Sequence, residues 1–568
     1  MALGIMVSFI TGVLILGAVA LVVSAARRRG AAGIDAQTVR RIFQYAVLYW
    51  LCVVVAIGLA ELVGRLLGAE AAPWEDDSYQ LAQALAFVLV GLPLAAALGW
   101  WTRRRHRADP AETASPVFNV YLTLTALTSL VVAAVAVQGL VFEALDQGEL
   151  DADAAGQLVA WGALWFGHWL IARRALDSER AMPHLLLGSL VGLAFAVTGL
   201  VMTLGTSLDL LWRPRAITRP IAGLAQGGGL LLAGVLVWVR YWLTAASHLP
   251  RRASWLAYAL LIGVGGGLIM AIVAASRLLW SVLVWFLGDP QDATPAAHFD
   301  SAAMDLAAVI SGALVWWYHR AVLGEFAAQR SEVRRIYEYL VAGIALVAAA
   351  AGVGTILVAL IEAATPGIDI GMTTVNTLLA AVTLLVVGTP VWWLHWRRIR
   401  VAVAADPNRE VTALTRRIYL VVLFGVAGVA AVIALLMVGN TFFNDLVDAQ
   451  LGAATLRSMR YSLGVLVASA AVSAYHGAIF RQDRNTAVAG HTAGPRSVVL
   501  IGTDDPALAR MVHQATGSRV ELWERTDVNP IAWDETSVLT ALSGHPGQDL
   551  VLTADEQGFQ LMIVEPRR

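Results

Sequence analysis

The sequence predicts an all-α polytopic membrane protein of about 13 transmembrane helices: one N-terminal helix, six repeated helical hairpins, and a small C-terminal α/β domain. Three observations carry this reading. Of the 568 residues, 58% are hydrophobic and 14% charged, with a mean hydropathy of +0.67, whereas soluble domains devote roughly a quarter of their residues to charge. Apolar runs long enough to cross about 30 Å of hydrocarbon recur along the chain without strand alternation, and lipid offers no partner for open backbone groups, so the runs must be helices. Finally, an aromatic-basic cluster closes each hairpin every roughly 60–80 residues, a period that argues for an arrayed architecture.

The first apolar run, Ile5 to Ala26, has no basic stretch ahead of it and is followed by Arg27, Arg28 and Arg29. Residues 1–30 therefore read as a retained helix with its N-terminus outside, placed by the positive-inside rule. The hairpins occupy residues 31–484, at about 40–106, 117–174, 184–246, 255–323, 334–400 and 416–481. Their exits are Trp100-Trp101-Thr102-Arg103, Trp165-Phe166-Gly167-His168, Trp238-Val239-Arg240-Tyr241, Trp316-Trp317-Tyr318-His319, Trp392-Trp393-Leu394-His395 and Ser473-Ala474-Tyr475-His476. Inside turns carry arginine, as at Arg103 to Arg105, Arg173-Arg174 and Arg397-Arg398, while outside loops such as Glu75-Asp76-Asp77 are acidic. The loop with Arg213, Arg215 and Arg219 dissents, leaving either an anion bound there or a different topology for the third hairpin. The chain contains no lysine, and its one cysteine, Cys52, has no intrachain partner, so no disulfide forms.

A polar linker at 485–496 leads to the domain at 497–568. Val498 to Ile501, Arg519 to Trp523, Asp549 to Leu552 and Phe559 to Val564 read as strands. Asp505 caps a helix opened by Pro506 and continued by Ala507 to Thr516, and a second helix is expected near Glu535 to Leu542. The span count places this domain in the cytoplasm and the body in the inner (cytoplasmic) membrane.

The Arg-Arg-Ile-Tyr entries at Arg334 and Arg416, the exit from Gly388 to Trp396 and the Ala-Tyr-His exit at Ala474 to His476 resemble a bacterial membrane family called domain of unknown function 5671. The resemblance is best in hairpins five and six. It implies a multi-pass array and no activity.

Candidate sites fall into two groups. An ionisable residue within a membrane span costs a few kcal/mol at the bilayer centre and is a functional hypothesis by default, which selects Glu61, Arg65, Glu143, Arg277 and Glu362. All five lie near span boundaries, where they reach water. The exit histidines His168, His319, His395 and His476 share a helical position and form an interfacial row. Imidazole ligates haem or metal in helical bundles, but aromatic-belt anchoring explains the same residues. No catalytic motif, metal motif or cofactor loop is present, so neither catalytic residues nor a cofactor are assigned and an enzyme is disfavoured. The expected function is a structural or sensory membrane body coupled to a cytoplasmic module. The alternatives are a transporter of a small solute or ion, and a haem or metal redox protein. Expected partners are membrane lipids and a cytoplasmic protein docking on 497–568, with no nucleic acid.

Overall fold

The computed structural model describes residues 36–69, 77–146, 148–212, 220–324, 332–367, 372–491, 494–526, 532–555 and 558–565. The helix expected at 1–30 and the dissenting arginines Arg213, Arg215 and Arg219 lie outside the described residues. The described helices are α1 (Ala36–Leu66), α2 (Asp77–Ala108), a short α3 (Pro110–Thr113), α4 (Pro116–Asp146), α5 (Ala152–Ala175), α6 (Ser178–Trp212), α7 (Ile221–His248), α8 (Ala253–Leu287) and α9 (Pro295–Val322). There follow α10 (Glu332–Ala364), α11 (Thr374–Ala405), a short α12 (Pro407–Val411), α13 (Leu414–Val447) and α14 (Arg460–His491). Eleven of them are long and apolar enough to cross a membrane. The thirteen of the sequence reading are reduced by the undescribed first helix and by α5, which is long enough but is made less apolar by Gln157, His168 and the tryptophans Trp161, Trp165 and Trp169.

The hairpins pair into four-helix modules with one packing order. The module's first helix lies along its second and its fourth, and its third lies along its fourth. This holds for α1, α2, α4 and α5, for α6, α7, α8 and α9, and for α10, α11, α13 and α14. Residues 1–325 hold the first two modules as one compact unit and residues 326–568 hold the third with the C-terminal α/β domain as another. Small residues let the backbones approach, which is how helices associate where lipid removes the hydrophobic drive. In the first module α1 crosses α5 at Gly64 and Gly156, where an added Cβ on Gly156 would stand 2.3 Å from the Ala60 carbonyl oxygen. In the third, α10 crosses α14 at Gly354 and Gly464, each Cβ position lying 2.9 Å or less from the other's carbonyl oxygen. Two further glycines allow close packing: a Cβ on Gly227 would meet the Thr203 nitrogen at 2.7 Å, and one on Gly267 the Trp316 nitrogen at 2.6 Å. The middle module departs from regular geometry, with π-helical turns at Val239–Leu243 and Tyr258–Gly266.

The segment read as a linker begins as helix, since α14 continues to His491. No proline or glycine interrupts Gln482 to Val488, and the break comes only near Gly494 and Pro495. The soluble domain matches its expected elements: β1 (Ser497–Gly502), α15 (Pro506–Thr516), β2 (Arg519–Glu524), α16 (Glu535–Ser543), β3 (Asp549–Ala554) and β4 (Phe559–Val564). The sheet order is β2-β1-β3-β4, parallel except for the antiparallel β4 edge. Val498, Leu500, Leu550 and Leu552 point to a core closed by Leu508 and Val512 of α15 and Val538 and Leu542 of α16. Side chains alternate across a strand, so Val499, Ile501, Val551, Trp523 and Met562 share the opposite face, where Trp523 and Met562 are exposed.

Candidate functional site

The charges singled out in the sequence are mostly paired. Glu61 accepts from Arg65 Nε at 2.7 Å, and Arg65 also bridges to Asp77. Arg277 lies 3.1 Å from Asp305. The buried Glu362 accepts from Arg460 at 2.8 Å, while Arg457 donates to the carbonyls of Glu362 and Thr365 at 3.0 and 2.8 Å. Glu143 is half-buried near the end of α4. Asp305, Arg457 and Arg460 were missed as partners, because a pair between distant helices leaves no spacing in the sequence.

The exit histidines form tyrosine–histidine pairs. In each of them Nδ1 stands 2.8–2.9 Å from the carbonyl four residues back, so Nδ1 carries the proton and Nε2 is the acceptor. His168 Nε2 accepts from Tyr121 Oη at 2.9 Å. His319 packs edge-on to Tyr258 at 5.9 Å, His395 to Tyr337 at 6.1 Å and His476 to Tyr419 at 5.7 Å. The first hairpin pairs Tyr45 with His106 at 2.8 Å, and the third exchanges the two residue types, with His184 on its first helix facing Tyr241 on its second at 5.5 Å. Each hairpin thus has one pair, a rule hidden because the tyrosine lies on the opposite helix. Each exit histidine thus packs against a tyrosine of its own hairpin. Among the described residues no three His, Cys, Asp or Glu side chains come together as a metal site would require.

A second repeated lock joins neighbouring exits. Trp242 Nε1 donates to Tyr318 Oη at 2.9 Å, and Trp396 Nε1 to Tyr475 Oη at 2.8 Å. Both tryptophans also pack on a tyrosine of the module's third helix, Tyr258 and Tyr419, and on the adjoining histidine, His319 and His476. The glycine opposite each ring makes room: a Cβ on Gly263 would lie 2.2 Å from His319 Cγ, and one on Gly188 2.1 Å from the Tyr241 ring.

The arginine pairs at the module entries meet a carboxylate that sequence reasoning passed over. Asp109-Pro110-Ala111-Glu112 and Asp406-Pro407-Asn408-Arg409-Glu410 are short helices between hairpins, each opened by a capping aspartate and a proline. They return Glu112 to Arg40 and to Arg41 Nε at 3.1 Å, and Glu410 to Arg335 Nε at 3.0 Å. Burial would raise Glu112, but the hydrogen bonds from Arg41 and Arg40 outweigh it and hold the carboxyl below its usual range. The recurring Asp-Pro with glutamate two or three residues on was the available signal. Arg416 makes a third clamp, gripping both oxygens of Asp483 at 2.5 and 3.0 Å and donating to Tyr339 Oη at 3.1 Å.

At the opposite end of the first module, remote from these arginines, lies a cavity of about 570 Å³. It is bounded by α1, α2, α4 and α5 and lined by Glu61, Gln80, Gln83, Asp153 and Gln157 together with Phe87, Val132 and Trp161. From Asp153 to Trp161 is eight residues of helix, about 12 Å at 1.5 Å per residue.

Fold and site together define a polytopic membrane protein assembled from four-helix modules whose arginine-rich ends are clamped by carboxylates and aromatic–histidine pairs. Two stretches, residues 41–163 and 335–471, match the family model described as Domain of unknown function (DUF5671). The matched stretches cover most of the first and third modules, ending partway along α5 and α14, and so reach hairpins one and two as well as five and six. Nothing among curated proteins or solved structures matches the chain.

Proposed function

We propose that this protein is a sensory membrane body that passes an input from the end remote from the arginines to its soluble C-terminal domain. In this arrangement α5 crosses alongside the eleven apolar helices, the arginine-rich ends face the cytoplasm, and the body sits in the cytoplasmic membrane among its lipids. The observation that carries the reading is the Arg416 clamp. Asp483 lies in the last helix of the body, fourteen residues before β1 begins at Ser497, and Arg416 ties it to α13 and, through Tyr339, to α10. A shift between the module's helices therefore reaches the helix that leads into the soluble domain. That domain offers an exposed apolar strip at Trp523 and Met562 through which it would recruit a cytoplasmic protein. Transport is less well supported, because most of the charges that would move an ion are held in ion pairs at helix ends.

Reconstitution tests the choice. In proteoliposomes the protein should show no flux of choline or putrescine, while changing bilayer thickness should alter hydrogen exchange in residues 497–564. Arg416→Gln should abolish that response. Flux that disappears in Glu61→Gln would replace the sensory reading with transport.

A further inference from the structure

We propose that the cavity of the first module binds a small organic cation carrying an ammonium group. As the input of the sensory body this rests on the reading above; as a binding site it stands on the cavity. At about 570 Å³ it falls in the size range of small-molecule sites, roughly 300–1,000 Å³. Its charge is unbalanced. Among the described residues, Glu61, Asp77, Asp151 and Asp153 gather at this end of the module against one guanidinium, that of Arg65. Arg65 is committed to Glu61 and Asp77, and Asp151 caps α5 by accepting from the Ala154 nitrogen at 2.9 Å. Asp153 is exposed to the cavity side of α5, where no described residue gives it a hydrogen bond or an ion pair.

The rest of the lining suits such a ligand. Gln83 and Gln157 offer amide donors and acceptors for a polar body, and Trp161 and Phe87 also line the cavity, where aromatic faces attract a cation. An anion would meet the carboxylates, and a purely apolar molecule would strand the glutamines. The site is also held in shape. A Cβ on Gly58 would approach the Ala84 carbonyl oxygen to 2.8 Å, and the Gly64–Gly156 crossing fixes α5 against α1, so three of the walls are backbone-tight.

Titration calorimetry on the full-length protein in lipid nanodiscs decides it, with choline, putrescine and spermidine as probes and sorbitol and acetate as neutral and anionic controls. At least one of the cations should bind at one site per chain, and neither control should. Asp153→Asn should weaken that binding about tenfold, since it removes the charge facing the ligand, and Trp161→Leu should weaken it too, with the melting temperature of Asp153→Asn unchanged. No heat from any of the cations, or binding indifferent to both substitutions, overturns the site. Hydrogen exchange in residues 497–564 separates the two readings: a cation that binds without changing exchange there leaves the site standing and removes the sensory role assigned to it.

Discussion

The first and third modules match one family model and pack their helices in one order, yet their interiors differ. The first encloses a polar cavity lined by carboxylates and glutamines, whereas the third has an apolar groove of about 430 Å³ between α10, α13 and α14, lined by residues such as Leu346, Val358, Leu423, Gly464 and Val465. At the arginine-rich ends they agree, each with a clamped arginine, a carboxylate on a short inter-hairpin helix and tyrosine–histidine pairs. The scaffold is therefore set at the ends and at the glycine crossings, and the interior is free to specialise. The middle module shows the same separation, keeping the packing order and the tryptophan–tyrosine lock while exchanging histidine and tyrosine in one hairpin.

The largest expected difference between the two modules lies in their clamps. Arg335 and Glu410 are both about 3% exposed at their side chains, whereas Glu112 is shared between Arg41 and an Arg40 that is 27% exposed. Breaking a fully buried pair leaves a charge without compensation and costs about 3–5 kcal/mol. Glu410→Gln leaves Arg335 only Glu332, whose side chain is 62% exposed, and should therefore lose up to about that much in thermal or denaturant unfolding, and Glu112→Gln distinctly less. Equal losses would mean that solvent does not distinguish the two ends. Next come the crossings. Gly156→Val and Gly464→Val should each cost about 1–3 kcal/mol through overpacking against backbone, while Gly162→Val and Gly425→Val, which have open space or only one side-chain neighbour near 4 Å, should leave the melting temperature nearly unchanged.

The tyrosine–histidine pairs sharpen the comparison further. Tyr121 hydrogen-bonds His168, but Tyr419 Oη and His476 Nε2 are both buried without a partner among the described residues. Tyr121→Phe strands His168 Nε2 and should cost about 1–3 kcal/mol, whereas Tyr419→Phe removes an unsatisfied hydroxyl and should be neutral or stabilising. Unfolding of the two variants side by side checks this, and a large loss from Tyr419→Phe would show that its hydroxyl works with a partner such as a bound water.

Hydropathy, exit clusters and strand runs made the helices, the hairpins and the soluble sheet legible, because each is a local pattern. The pairing of hairpins into modules was not, since it is set by which helices touch, and glycine crossings such as Gly64–Gly156 have no period in the sequence. The candidate residues were legible as types and misjudged as a set. Glu61, Arg277 and Glu362 stood out as costly charges; Arg65, the partner of Glu61, lies one turn along the same helix, but Asp305 and Arg460 lie on other helices, as do Tyr121, Tyr258 and Tyr419 opposite the exit histidines. Asp153 and the glutamines of the cavity drew no notice because a polar residue at a helix end is ordinary until four helices are seen to enclose it.

The smallest effect concerns acidity at the first module's clamp. The arginine hydrogen bonds hold Glu112 below its usual value near 4.5 despite burial, so the folded protein binds that proton more weakly than the unfolded chain does. The stability it contributes is then whole above the unfolded value and is lost as pH falls through the lower folded one. The stability difference between the wild type and Glu112→Gln should accordingly be flat above about pH 5 and shrink on acidification below it. Melting curves across that range check the sign. A difference that grows on acidification would mean that Glu112 is protonated more readily in the folded protein, and would remove the arginines as the force that holds the first module's entry.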